Sequence, residues 1–87
     1  MAIERFQWTE HAEQRLGERR LARGDVERAT RDGHGNRQIN AGRADWLLTG
    51  ITAEKVPFEA VYDHPADGDA AVARVVSAWR LDQPQSA

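Results

Sequence analysis

The stretch from Ala70 to Leu81 is the strongest constraint on what this chain can fold into. Strict alternation puts Ala71, Ala73, Val75, Ser77 and Trp79 on one face of a strand and Val72, Arg74, Val76, Ala78 and Arg80 on the other. Apolar side chains on both faces need cover on both, so this is predicted to be a central strand. Just before it, residues 56–63 alternate cleanly, with Val56, Phe58, Ala60 and Tyr62 on one face. Between the two runs, His64-Pro65-Ala66-Asp67-Gly68-Asp69 is dense in turn residues and reads as a hairpin loop.

The remainder must supply the rest of a sheet and a layer to cover it. Residues 3–8 alternate weakly, Phe6 and Trp8 against Arg5 and Gln7, and read as a first strand. Thr9 is a good N-cap, and Glu10 and Glu13 oppose the dipole of a helix over about 10–20. Gly17 inside that helix costs up to about 1 kcal/mol relative to alanine. After a short joint at residues 21–24, a second helix runs from Asp25 to Asp32, with Val26, Ala29 and Thr30 on one side and Gly33 as C-cap. Residues 37–40 read as a weak edge strand because they are so polar, and residues 44–49 as a strand with Trp46 and Leu48 pointing one way. Residues 50–55 are assigned to a loop, and Asp82 to Ala87 to a frayed tail. The predicted order is βααββββ: one α+β domain over residues 1–81, its two N-terminal helices packed on an antiparallel sheet.

At 87 residues the chain has room for one modest core, which makes a partner or a homodimer reasonable on size alone. There is no cysteine, so thiolate chemistry and disulfides are excluded, and a cytoplasmic location is expected. No apolar run is long enough to span a bilayer, and no membrane association is expected. A net charge of −2 argues against nucleic-acid binding through bulk electrostatics, so any RNA contact must be local. Of the 12 Lys and Arg residues only Lys55 is lysine, a weak pointer to planar phosphate recognition.

On the first helix, His11, Arg15 and Arg19 fall at i, i+4 and i+8 and lie along one stripe, drifting about 40° per step. Ala12 and Leu16 fall beside it, so the stripe forms a rim of the buried face. Imidazole exchanges a proton near neutrality, and guanidinium forks match phosphate oxygens. Together they suit phosphate-ester chemistry. The competing reading is a solvated helix in which Arg15 and Arg19 pair with glutamates such as Glu18, each pair contributing a few tenths of a kcal/mol.

The pattern Thr9-x-His11-Ala12-x-x-Arg15-x-x-x-Arg19-x-Leu21, after a short strand and before a second helix, resembles the opening of a family of small bacterial domains of unknown function. That family is grouped with the RelE/ParE-like toxins of the barnase-EndoU-colicin-RelE class of ribonuclease folds. The resemblance implies a sheet-and-helix toxin-like fold and RNA cleavage. Beyond residue 33 it rests on element order and length, and the superfamily includes proteins that are not nucleases.

Cleavage of RNA by its own 2′-hydroxyl needs a base, positive charge at the phosphorane and an acid for the leaving oxygen. His11 can be acid or base, and Arg15 and Arg19 can stabilise charge, but the motif lacks a second proton carrier. By topology alone, Arg80 or Arg74 could add charge, and Ser77 or Tyr62 could orient substrate. His34 and His64 are dispersed and give no metal pattern, so neither a metal nor another cofactor is expected. Trp8, Trp46 and Trp79 are more naturally core residues than stacking platforms. Two functions compete. One is a toxin-like, metal-independent RNA endonuclease, the mRNA- or tRNA-cleaving component of a bacterial toxin-antitoxin or related system. The other is a non-catalytic module of the same fold whose stripe docks an acidic, antitoxin-like protein.

Overall fold

The computed structural model describes residues 3–82. In chain order they form β1 (Arg5–Trp8), α1 (Glu10–Arg19), α2 (Arg23–Gly33), a 3-10 turn (His34–Asn36), β2 (Gln38–Ile39), β3 (Trp46–Ile51), β4 (Pro57–Asp63) and β5 (Val72–Arg80). The fold is α+β, two helices against a five-stranded sheet of order β1-β5-β4-β3-β2. Within the predicted tail only Asp82 falls among the described residues; it is exposed and pairs with Arg80.

The sheet is mixed, which corrects the antiparallel expectation. β2, β3, β4 and β5 pair antiparallel in succession, whereas β1 lies parallel to β5, with Phe6 opposite Ala73 and Trp8 opposite Val75. The reason lies in the connection. The chain leaves β1 through two helices and three further strands before β5 returns beside it, a crossover long enough to join parallel neighbours.

A β-bulge corrects the second expectation. The β4–β5 register slips between Val61 and Tyr62, so Val61 faces Ser77 while Tyr62 faces Val75, and Val76 is left as the extra residue. Alternation restarts there. Val75 and Ala78 therefore share one buried cluster with Ala12, Leu16, Leu21, Val26, Phe58 and Ala60, and Ser77 and Trp79 turn to the face away from the helices. Trp79 Nε1 donates to Glu59 on that face at 3.1 Å. Strict alternation could not place Ala78 correctly, because one added residue inverts every side chain beyond it.

Each helix is fixed by identifiable contacts. Thr9 Oγ1 accepts the Ala12 N–H at 3.0 Å, the expected N-cap, worth about 1 kcal/mol. Arg20 ends α1 in the left-handed region at φ 55°, its N–H bonded to the Leu16 carbonyl. α1 packs over β5 and α2 over β3. Strand β3 starts and ends two residues later than expected, since Gly50 and Ile51 pair with Phe58 and Pro57. Gly50 is what lets α2 come close. A Cβ there would lie 2.7 Å from the Ala29 Cβ and 2.8 Å from Phe58 Cζ. Gly50→Ala should therefore destabilise the fold by about 1–3 kcal/mol through overpacking, read as a lower urea midpoint with the slope unchanged.

Candidate functional site

The stripe on α1 lies along an edge that β1 leaves open. β1 pairs with β5 only as far as Trp8 opposite Val75. Beyond that point the Leu81 N–H bonds to the Pro57 carbonyl at 2.8 Å, so by antiparallel alternation Ser77 and Trp79 direct their backbone groups to β4. The backbone groups of Ala78 and Arg80 then point outward, past the end of β1. α1 meets them from that side: Thr9 Oγ1 donates to the Val76 carbonyl at 3.3 Å, and Arg19 Nη1 to the Ala78 carbonyl at 2.9 Å. A helix thus finishes the edge that a longer first strand would have covered.

This geometry divides the three stripe residues. Arg19, half-buried at the last turn, holds the helix to β5 and is a structural contact. Arg15, half-buried, pairs with the exposed Glu18 one turn along at 2.7 Å, a pair in contact with solvent and therefore weak and exchangeable. His11 is exposed, and its side chain makes no hydrogen bond among the described residues. The stripe is one surface with three different jobs.

The four residues assigned to substrate by topology do not join it. Tyr62 is fully buried between β3 and β5 on the helix side, so it cannot orient an external substrate without opening the core. Ser77 lies on the opposite face, turned there by the bulge. Arg74 is on that face too, where its Nε donates to Gln7 and its Nη2 to Asp67, raising its pKa and lowering that of Asp67. Arg80 donates to both carboxylate oxygens of Asp82 at 2.9 and 2.7 Å, and that bond holds Asp82 below the ordinary carboxylate range. Arg80 also lines a small open cleft with Arg20, Ala22, Asp25, Thr52, Glu54 and Val56, in which acids balance the arginines.

A cluster that dispersed sequence positions conceal lies at the other end of β4. The rings of His34 and His64 sit at 4.4 Å between centroids, nearly perpendicular. His34 Nδ1 is 2.7 Å from the Tyr62 hydroxyl, and His64 Nε2 is 2.7 Å from the Ala70 carbonyl. A carbonyl only accepts, so His64 carries its hydrogen on Nε2. Arg37 donates from Nη1 to the His34 carbonyl and stacks on Trp46 at 4.1 Å from the ring centre, while Trp46 Nε1 donates to the His64 carbonyl. Burial, then the charges of Arg37 and His64, push the His34 pKa down to about 4. Burial pushes Tyr62 up to about 12. Thirty residues of sequence separate the two histidines, and only the β4–β5 turn brings them together, so no local motif could have announced the pair. Among the described residues, no three His, Cys, Asp or Glu side chains are grouped to hold a metal ion.

No protein-family model, curated protein or solved structure matches the chain. No helix of the described residues is long and apolar enough to cross a membrane.

Two outcomes follow from these contacts. Arg19→Ala should cost about 1–2 kcal/mol, since a partly buried carbonyl loses its charged donor, whereas Arg15→Ala should stay within about 0.5 kcal/mol; urea unfolding of both separates them. His34 is held neutral in the fold, and its unfolded value lies near 6.5, so between roughly pH 6.5 and pH 4 the unfolded chain binds more protons. Its contribution to stability is complete above that window and is lost as pH falls through it. Thermal midpoints measured from pH 7 to 4 should decline, and the decline should be smaller in His34→Phe.

Proposed function

We propose that this chain is a toxin-like RNA endonuclease on a RelE/ParE-like fold, acting in the cytoplasm and needing no metal or other cofactor. The observation that carries the reading is the accessibility of His11. It is exposed at the start of α1, with Arg15 one turn on and its exposed carboxylate partner readily exchanged for a phosphate. The α1 motif that resembles the toxin family supports the same assignment.

In this mechanism the RNA 2′-oxygen attacks the adjacent phosphorus, and His11 accepts the 2′-hydroxyl proton. Arg15 stabilises charge on the non-bridging oxygens of the phosphorane. The bond from phosphorus to the 5′-oxygen breaks, leaving a 2′,3′-cyclic phosphate and a 5′-hydroxyl. The proton for the leaving oxygen comes from solvent or from His11 once it is protonated. Arg19 serves as a positioning residue, fixing the helix that carries the other two.

One observation favours the alternative of an interaction module that binds an acidic, antitoxin-like protein: Arg19 is spent on Ala78, and the net charge is −2. Incubation of a mixed RNA pool with purified protein in chelator separates the readings. Wild type should cleave, leaving cyclic phosphate ends, and His11→Ala with an unchanged circular dichroism spectrum should lose at least about 100-fold of the rate. Intact RNA with wild type would reject the nuclease, and loss of a co-purifying acidic protein in Arg15→Ala would then establish the interaction module.

A further inference from the structure

The segment from His34 to Asn40 reaches the sheet as an arm held by few contacts. Its strand, β2, contributes only Gln38 and Ile39, paired with Leu47 and Trp46, and Ile39 is 83% exposed. Its remaining attachments are the bond of His34 to Tyr62, the stacking of Arg37 on Trp46, and the bonds of Asn40 to Ala44 and Asp45. Two of these attachments, the bond of His34 and the stacking of Arg37, centre on the histidine cluster or the ring of Trp46. Little apolar surface holds the arm down, so its opening costs less than opening the core.

The cluster has the chemistry of a proton-sensitive fastening. Tyr62 faces His34 from β4, His64 from the β4–β5 turn, and Arg37 from the arm itself. Among the described residues, the charged groups acting on His34 are Arg37 and His64, both of which oppose its protonation. No carboxylate among them compensates an added proton. Protonation of His34 would place a charge within ring contact of His64 and on the carbonyl-bound side of Arg37, at a half-buried site.

We infer that the His34–His64 pair is a proton-operated latch whose protonation releases the arm 34–40 and uncovers the edge of β3. The Asn40 N–H bonds to the Asp45 carbonyl and Gln38 pairs with Leu47, so that carbonyl and the backbone groups of Leu47 are directed to the arm, and by alternation those of Thr49 and Ile51 point the same way; the Asp45 N–H is taken by the Asp63 carboxylate. With the arm closed, that edge is covered by the arm at Asp45 and Leu47, and at its far end by Arg28, which donates to the Ile51 carbonyl at 3.5 Å. With the arm released, the backbone groups of Leu47 and Thr49 form one open edge. The latch is independent of the nuclease reading, since it involves neither His11 nor Arg15.

The test is residue-resolved amide hydrogen exchange on the full chain between pH 7 and pH 4, corrected for intrinsic rates, with the imidazole titrations followed by NMR in the same samples. Protection at Gln38, Asn40 and Leu47 should fall by roughly tenfold or more while Ala60, Val75 and Ser77 stay protected. The midpoint should coincide with the titration of His34, and His34→Phe, which keeps a ring against His64, should abolish the change. If His34→Phe does not fold, the coincidence of midpoints in the wild type decides. Loss of protection that tracks another group, that persists in His34→Phe, that coincides with opening of the core, or that fails to occur, would overturn the latch.

Discussion

The length of β1 governs the rest of this small domain. Four residues, Arg5–Trp8, pair in parallel with the first part of β5, and the chain then turns into α1 at Thr9. Had the strand continued, it would have covered the carbonyls of Val76 and Ala78. Instead, the capping threonine and Arg19 from the last turn do so, from opposite ends of the helix. The orientation of α1 on the sheet, and with it the exposure of His11 and Arg15, follows from these two hydrogen bonds and from the burial of Ala12 and Leu16 between them. The bulge at Val76 cooperates, because it returns Ala78 to the helix side where Leu16 and Val26 pack.

The same design separates structural from exposed charge. Arginine is well suited to reach a backbone carbonyl at the margin of a core, because its stem packs against apolar surface while its fork stays hydrogen-bonded. Arg19 does this against β5, and Arg31 does it against the carbonyl of the buried Ile3. Arg23 and Arg31 also lie over the rings of Trp8 and Phe6. Arg19, Arg23 and Arg31 are thus each engaged by a carbonyl or an aromatic ring.

Much of the fold was legible in the sequence because it is written in local patterns. The Thr9 cap, the apolar faces of both helices and the alternation of Phe58, Ala60 and Tyr62 need only neighbouring residues to be read. The parallel placement of β1 and the bulge at Val76 were not legible, since both depend on which strand lies alongside. The candidate site divides in the same way. Periodicity groups His11, Arg15 and Arg19 on one stripe of α1, yet whether Arg19 faces solvent or a carbonyl is decided by β5, nearly sixty residues away. Tyr62 looked available because alternation does not reveal which face is covered. The meeting of His34 with His64 is a purely tertiary event.

Two histidine environments result: one open and unengaged at the start of α1, and one locked between β4, its turn and the arm. Phosphate chemistry is the role proposed for the first and control of the arm the role proposed for the second. Its most direct test is titration of a short RNA into isotopically labelled protein, following the imidazole and guanidinium signals by NMR. Shifts confined to His11 and Arg15, with Arg19, His34 and His64 unchanged, are the predicted result. Shifts centred on His34 and His64, or displacement of Arg19 from its bond to β5, would contradict it.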